Sequence, residues 1–414
     1  MKVNVIGFGS RGRVFSEIFT KLGAQLTAVC DIRRERLELA RELFGLPDGM
    51  LFSDESDFFA LGKTADLCVA ATPDALHTRH ALAALKCGYD LLLEKPIACS
   101  EEDCRIIYKT AEELGRRVFV CLEMRYTPFF TAIKNELDTG KYGKIATINL
   151  TENVIYWHQA HSFVRGNWRD TETSSPMIVA KCCHDLDMIS WLTGRGCMGV
   201  SSMGSLSFYK RENAPAESGE RCLDCRVKAG CAYDAERFYI EDRLKKGNTG
   251  WPVDVVATDP AEKTVYEALR TGPYGRCVFK CDNNAVDHQV VNMFFEDGVT
   301  AHLTMTAFSK DGGREIHIHC EKGEIFGREP RLTCHIFGGK TKKIDASKYG
   351  NDQYGHGGGD FYLAQDIVSF YNGEKSKTLT DIKNSMQGHF IGFAAEKSRL
   401  KNGALIVPDC GDKS

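Results

Sequence analysis

The chain lacks an apolar run approaching the ~18 residues that a membrane span needs, and neither sign of charge is in excess. Its 414 residues carry 53 Lys+Arg against 56 Asp+Glu, a formal net charge of -3. The first absence argues against a membrane protein and the second against a strongly basic nucleic-acid binder. Also missing is the apolar stretch with a small-residue cleavage site that marks a signal peptide, because Val3-Asn4-Val5-Ile6 enters a strand directly. The expectation is a cytoplasmic enzyme with neither nucleic acid nor membrane as partner. An even cysteine complement is lacking too. Seventeen Cys in a long chain disfavour a disulfide framework, and Cys30, Cys68, Cys104 and Cys121 sit in apolar segments as small buried hydrophobes. What remains is the composition of a globular protein, 43% hydrophobic and 26% charged, long enough for two or three domains.

From residue 2 to about residue 124 short apolar runs alternate with amphipathic ones. A buried-strand run ending at glycine is expected over 2–9, with further strands at 26–30, 66–70, 90–94 and 117–124, and helices at 14–22, 33–44, 76–86 and 101–114. That rhythm predicts a parallel sheet with crossover helices. After the first strand comes Gly7-Phe8-Gly9-Ser10-Arg11-Gly12. Its first Gly suits a tight turn, its second a close pyrophosphate, and its third close helix–strand packing, with phosphates on the free N–H groups of a helix N-terminus. Asp31, at the end of the second strand, stands where an acid binds the ribose hydroxyls, which favours NAD. Ile32 and Arg33 follow it as cofactor-edge candidates, and Arg33 with Arg34 keeps NADP open. Glu94-Lys95-Pro96 ends a later strand and would project Lys95 from the sheet's C-terminal edge, where open α/β folds bind ligands.

Together, Gly7–Gly12, Ala71-Thr72-Pro73-Asp74, His77 and Glu94-Lys95-Pro96 resemble the glucose–fructose oxidoreductase / inositol dehydrogenase family of NAD(P)-dependent oxidoreductases. Glu123-Met124-Arg125-Tyr126, with Pro128 and Phe129, is similar to that family's crossover into its second domain. The resemblance implies an α/β protein: a Rossmann domain over 1–123, then a substrate and oligomerisation domain over 124–414 with an open, mostly antiparallel sheet. It implies a homo-oligomer, dimer or tetramer, and a sugar, cyclitol or derivative as substrate. Lys95 would contact cofactor and substrate, Thr72 and Pro73 would lie along the cofactor with Glu94, and His77 would stand near the nicotinamide. Arg125 and Tyr126 become substrate-binding candidates.

The sequence departs from the family where an Asp should precede a His by four residues. In Ala180-Lys181-Cys182-Cys183-His184 that position is Ala180. Lys181 and His184, three apart, are expected on one helical face. Carbinol oxidation needs a base on the hydroxyl as hydride leaves, so His184 is assigned as acid/base, with Lys181 and Lys95 beside it. The departure keeps a second reaction open, in which resident NAD oxidises a glycoside transiently, a substituent is eliminated, and the product is reduced again. A non-catalytic dinucleotide or sugar sensor is the third reading.

Trp157, His158, His161, Arg165, Trp168 and Arg169 form an aromatic and basic segment suited to stacking on a sugar and reading its hydroxyls. His288, within Asp282-Asn283-Asn284 and Asp287-His288, is the candidate for the opposite wall. His356, in a glycine-rich turn, would close over the site. Within an excursion over about 209–276, Cys222, Cys225 and Cys231 have metal-ligand spacing, with Cys277 or Cys281 as a fourth ligand for structural zinc. His317 and His319 read as a half-exposed sheet face.

Overall fold

In the computed structural model, which describes residues 1–350, 354–376 and 379–409, the strand–helix rhythm becomes a six-stranded parallel sheet. Its strands are β1 (Lys2–Ile6), β2 (Gln25–Cys30), β3 (Leu51–Phe52), β4 (Leu67–Ala70), β5 (Asp90–Leu93) and β6 (Val118–Val120), in the order β3-β2-β1-β4-β5-β6. This is the doubly wound dinucleotide-binding order. β4 is buried along its whole length and β5 from Leu91 onward, as covering both faces with helices requires. The crossovers are α1 (Ser10–Lys21), α2 (Arg34–Phe44), α3 (Glu55–Ala60), α4 (His77–Lys86) and α5 (Glu101–Glu113). Ser100 starts α5 by accepting from the Asp103 amide, and Gly45 ends α2 in the left-handed region. The last strand is shorter than the apolar run predicts. Its pairing with β5 stops at Val120 opposite Leu93, and the Cys121 amide donates the final bond to the Leu93 carbonyl.

Thr127 caps α6 (Pro128–Asp138), with Pro128 at its first position. The chain then builds an eight-stranded sheet from β7 (Ile145–Ile155), β8 (Cys197–Ser205), β9 (His288–Phe295), β10 (Thr300–Ser309), β11 (Gly313–Cys320), β12 (Gly323–Arg328), β13 (Arg331–Ile336) and β14 (Thr341–Asp345). The order is β14-β13-β12-β11-β7-β10-β9-β8, antiparallel except between β7 and β10. Alternation along β7, β9 and β10 buries one face; the other leaves Met203, Phe294 and Phe326 exposed.

Between β7 and β8 lie α7 (Tyr156–Gln159), α8 (Met177–Ala180) and α9 (Cys183–Thr193). The helix expected to carry Lys181 and His184 on one face is broken between α8 and α9, at Lys181 and Cys182. The excursion between β8 and β9 contains α10 (Val253–Val256) and α11 (Glu262–Thr271) around a small core of its own. The chain ends with α12 (Gly359–Tyr371) and α13 (Ile382–Leu400). From α12, Leu363, Ala364 and Ile367 fill the N-terminal core beside Val5 and Phe119, while α13 packs on α9 and β8. No helix among the described residues is long and apolar enough to cross a membrane.

Candidate active site

The loops that leave β1, β4, β5 and β6 at the C-terminal edge of the parallel sheet carry Gly7–Gly12, Thr72, Lys95 and Glu123. The glycine loop has the shape its spacing predicts. Gly7 has φ +88° and lies under the Ala71 carbonyl, and a Cβ on Gly12 would meet the Gly7 carbonyl oxygen at 2.0 Å. The atoms nearest a Cβ on Gly9 belong to the Arg36 guanidinium, at 3.4 Å, the far end of a flexible side chain, so a ligand can approach its backbone. Helix α1 begins there without a side-chain cap, which leaves its first amides available for phosphate. Asp31 is buried; it accepts from the Phe8 amide at 2.8 Å and the Arg33 amide at 2.9 Å, and it pairs with Arg36 at 3.2 Å. These features fit a dinucleotide, with Ser10 at the helix start and Ile32, 88% exposed, at the outer rim.

Thr72 and Pro73 lie on the loop after β4. His77 braces that loop: its ring nitrogens sit 2.7 Å from the Pro96 carbonyl and 2.8 Å from the Thr72 carbonyl, tying it to the Lys95 turn. Thr72 itself bonds His80, and the Ile97 amide donates to His389 on α13. Arg11 reaches across the site to Glu94 at 2.6 Å, to Asp360 of α12 at 2.7 Å, and to Glu123. Burial works against the Arg11 cation, but Glu94, Asp360 and Glu123 outweigh it and raise its pKa. With three carboxyls around one guanidinium, burial pushes the Glu123 carboxyl well above its ordinary range.

The second domain supplies the other half of the site. Lys95 donates to the Ala180 carbonyl at 3.0 Å, at the position where the family resemblance leads one to look for an aspartate. The break after α8 turns Lys181 towards β7, where its Nζ lies 3.3 Å from Glu152. Arg314, opposite Glu152 in the strand register, pairs with it at 3.0 Å and with Asp185 at 2.8 Å. Burial raises the Glu152 pKa, yet Arg314 and Lys181 prevail and hold it below the carboxylate range. His184, at the start of α9, is 3% exposed, and both of its ring nitrogens lack a hydrogen-bond partner. Its Nε2 lies 3.6 Å from the Glu123 carboxyl, and its ring is 5.9 Å from that of His356. Burial, then Lys95, His356, Arg314 and Lys181, lowers its pKa well below the histidine value, so it is neutral at pH 7. His356 pairs with Asp360 at 3.1 Å.

From the aromatic segment, His158 faces the same cations: burial and then Lys181 lower its pKa well below normal. Trp157 packs on Phe238 and Trp251 of the excursion, and His158 meets Trp251 edge-on at 4.9 Å. The other expected substrate residues have different partners. Arg125 is bidentate to Asp187 and also holds the Asn384 carbonyl, and Tyr126 bonds Asp366. His161 bonds Tyr239 at 2.7 Å and stacks on Tyr274, and burial pushes its pKa down to about 3. Arg165 faces Cys222, Arg169 pairs with Asp282, Trp168 packs on Phe163, and His288 pairs with Asp287.

Three charged residues escaped the sequence reading, though Glu152 and Arg314 left a trace: each occupies a buried-phase position of an alternating strand, beside Leu150 and Ile316. Asp360 left none beyond its place in the first turn of α12. Glu123 was visible only as part of the crossover segment.

A dinucleotide loop at the sheet edge, facing lysines and an unbonded imidazole, defines an oxidoreductase of the Rossmann class. Comparison with known proteins agrees. Residues 1–122 match the family described as "Oxidoreductase family, NAD-binding Rossmann fold", and residues 134–396 match its "C-terminal alpha/beta domain". The chain belongs to this glucose–fructose oxidoreductase / inositol dehydrogenase (Gfo/Idh/MocA) family. It is 23% identical over 397 residues to the putative oxidoreductase YteT of Bacillus subtilis, covering 88% of each chain. To the inositol 2-dehydrogenase of Klebsiella pneumoniae it is 28% identical over 195 residues, 46% of this chain and 54% of the relative. The fold is shared with the WlbA dehydrogenase of Bordetella pertussis, solved with NADH and UDP-GlcNAcA, at TM-score 0.69 and 18% identity over 98% and 97% of the two chains.

Proposed function

We propose that this protein is an NAD-dependent oxidoreductase acting at a secondary carbinol of a sugar, cyclitol or sugar derivative. The observation that carries the reading is His184: a buried, neutral imidazole with both nitrogens unbonded, beside the equally unpartnered Glu123 Oε2. Each such buried group costs about 1–3 kcal/mol, and an imidazole left in that state is positioned to bond something that arrives. When bound, nicotinamide supplies the hydride acceptor. His184 takes the hydroxyl proton, and Lys95 and Lys181 donate to the oxygen as negative charge develops on it. Arg11 and Glu94 hold the glycine loop and the Lys95 turn together, and Asp31 reads the ribose. Trp157, His158 and Trp251 form a wall that excludes water and takes a sugar's apolar face. The exposed apolar residues on the outer face of the second sheet support a homo-oligomer built on that face.

The test is to incubate purified protein with NAD and a panel of sugars, cyclitols and aryl glycosides, following NADH and released aglycone. Net NADH that is lost in His184→Ala and Lys95→Ala, with NAD affinity kept in His184→Ala, supports the reading. Turnover that survives both substitutions removes the catalytic assignment. Aglycone release without net NADH replaces net oxidation by redox-neutral glycoside cleavage.

A further inference from the structure

The excursion between β8 and β9 buries only a handful of side chains in its own core, yet it forms one wall of the site. Its Trp251 touches Trp157 and His158, Asp254 pairs with Arg13 at 3.3 Å, and Arg33 donates to Thr258 at 3.3 Å. It therefore reaches from the substrate side of the groove to the residues beside Asp31. Something besides apolar packing must hold so small a unit to so fixed a course.

Four cysteines of the excursion and its return line one cavity. Arg221 and Arg276 face each other as an isolated antiparallel bridge, the Cys222 amide donates to the Gly275 carbonyl, and the Cys277 amide donates to the Glu220 carbonyl. This short ladder sets Cys222 beside Cys277. Cys225 and Cys231 complete the lining with Arg165 and Tyr233, around a space of about 20 Å³, room for one atom-sized guest. Cys281 is not part of the lining; its thiol bonds the Cys277 carbonyl at 3.3 Å.

Arg165 gives the cavity its electrostatic sense. The residue is 2% exposed, and its guanidinium donates to the carbonyls of Arg276 and Tyr233 and, at 3.3 Å, to the sulfur of Cys222. No carboxylate is among them. A buried guanidinium without an anion is costly, and neutral thiols supply no negative charge. Thiolates do, and four thiolates need a cation between them. The Gly219 amide, donating to Cys225 Sγ at 3.4 Å, is a second donor of the kind that thiolate sulfur accepts.

We propose that Cys222, Cys225, Cys231 and Cys277 bind a single zinc ion that anchors the excursion against the active site, with Arg165 as the buried counter-cation. Zn–S bonds of about 2.3 Å put tetrahedral sulfurs roughly 3.8 Å apart. Here the sulfurs stand wider, since among the described residues no three of them lie within 4.8 Å of one another. Binding draws them inward by rotation of the cysteine side chains. The four thiol protons leave to solvent as the Zn–S bonds form, so affinity weakens as the pH is lowered. The small cavity matches one ion rather than an iron–sulfur cluster.

The test is elemental analysis of the full-length protein purified without added metal, with metallochromic titration of zinc released by a mercurial. About one zinc per chain is expected, with loss in Cys222→Ser and Cys231→Ser and full retention in Cys281→Ser. Should the serine variants fail to fold, cobalt exchanged into the wild type decides the matter, because tetrahedral tetrathiolate gives intense ligand-field and sulfur-to-cobalt bands. Protein without stoichiometric metal whose thiols zinc does not protect from alkylation overturns the proposal. So does iron with acid-labile sulfide, or a cobalt spectrum without thiolate bands.

Discussion

Replacing Arg125 by Met tests the ion pair seen in the fold against the substrate-binding role that the family resemblance implies. Arg125 donates to both oxygens of Asp187, at 2.8 and 2.5 Å, and to the Asn384 carbonyl at 3.0 Å, with side-chain exposures of 6% and 1% for the pair. The variant leaves a buried carboxylate without its cation, a change that costs about 3–5 kcal/mol, or roughly two to four decades in the folding equilibrium. Burial already raises the Asp187 pKa against the opposing pull of Arg125; without Arg125 it rises further. A carboxyl whose folded pKa exceeds its unfolded value of about 3.9 destabilises the fold as pH climbs from there through the folded value. The deficit of Arg125→Met is therefore largest at pH 7 and shrinks towards pH 4. Urea unfolding at both pH values checks this, alongside Asp187→Leu and the double variant, which should recover most of the loss by removing both charges. A pH-independent loss under about 1 kcal/mol, joined to a raised KM for substrate, would refute the structural role and make Arg125 a substrate ligand.

Gly12→Ala forces a Cβ to 2.0 Å from the Gly7 carbonyl oxygen, so α1 must move off β1; calorimetric titration should show NAD affinity lost, and unchanged affinity would contradict the loop's assignment. Because burial and Lys95 depress the His184 pKa, the acid limb of kcat/KM for oxidation should fall below the ordinary histidine value of about 6.5. A limb at or above that value would show another group controlling the rate. Lys181→Met should lower kcat about a hundredfold with NAD affinity unchanged, and Glu152→Gln should lower kcat/KM less, since Lys181 stays in place but loses its fixed partner. An unaltered kcat in Lys181→Met would take that lysine out of the chemistry.

Local pattern was enough to read the parallel sheet, the glycine loop and the projecting Lys95. Such features repeat within a few residues: period two in a strand, about 3.6 in a helix, and a fixed spacing of glycines before a helix start. The cysteine spacing was visible for the same reason, and four residues of sequence between Cys277 and the alternative, Cys281, do not say which side chain turns towards Cys222; in the fold Cys277 lines that cavity. The paired lysine and histidine were visible as types, but their expected helical face was not realised, because the chain breaks between α8 and α9 to bring Lys181 to Glu152.

What only the tertiary structure decided is who meets whom. Arg11 with Asp360, Arg125 with Asp187, Arg314 with Glu152 and Trp251 with His158 join residues 349, 62, 162 and 93 positions apart. A sequence shows that a charge occupies a buried phase, since burial follows from periodicity. It does not show which opposite charge neutralises it, since that depends on strand order and on the way α12 and α13 return to the first domain. The amino-acid sequence determined the folds and the chemical groups; the packing of the two domains determined the partnerships that bring those groups together.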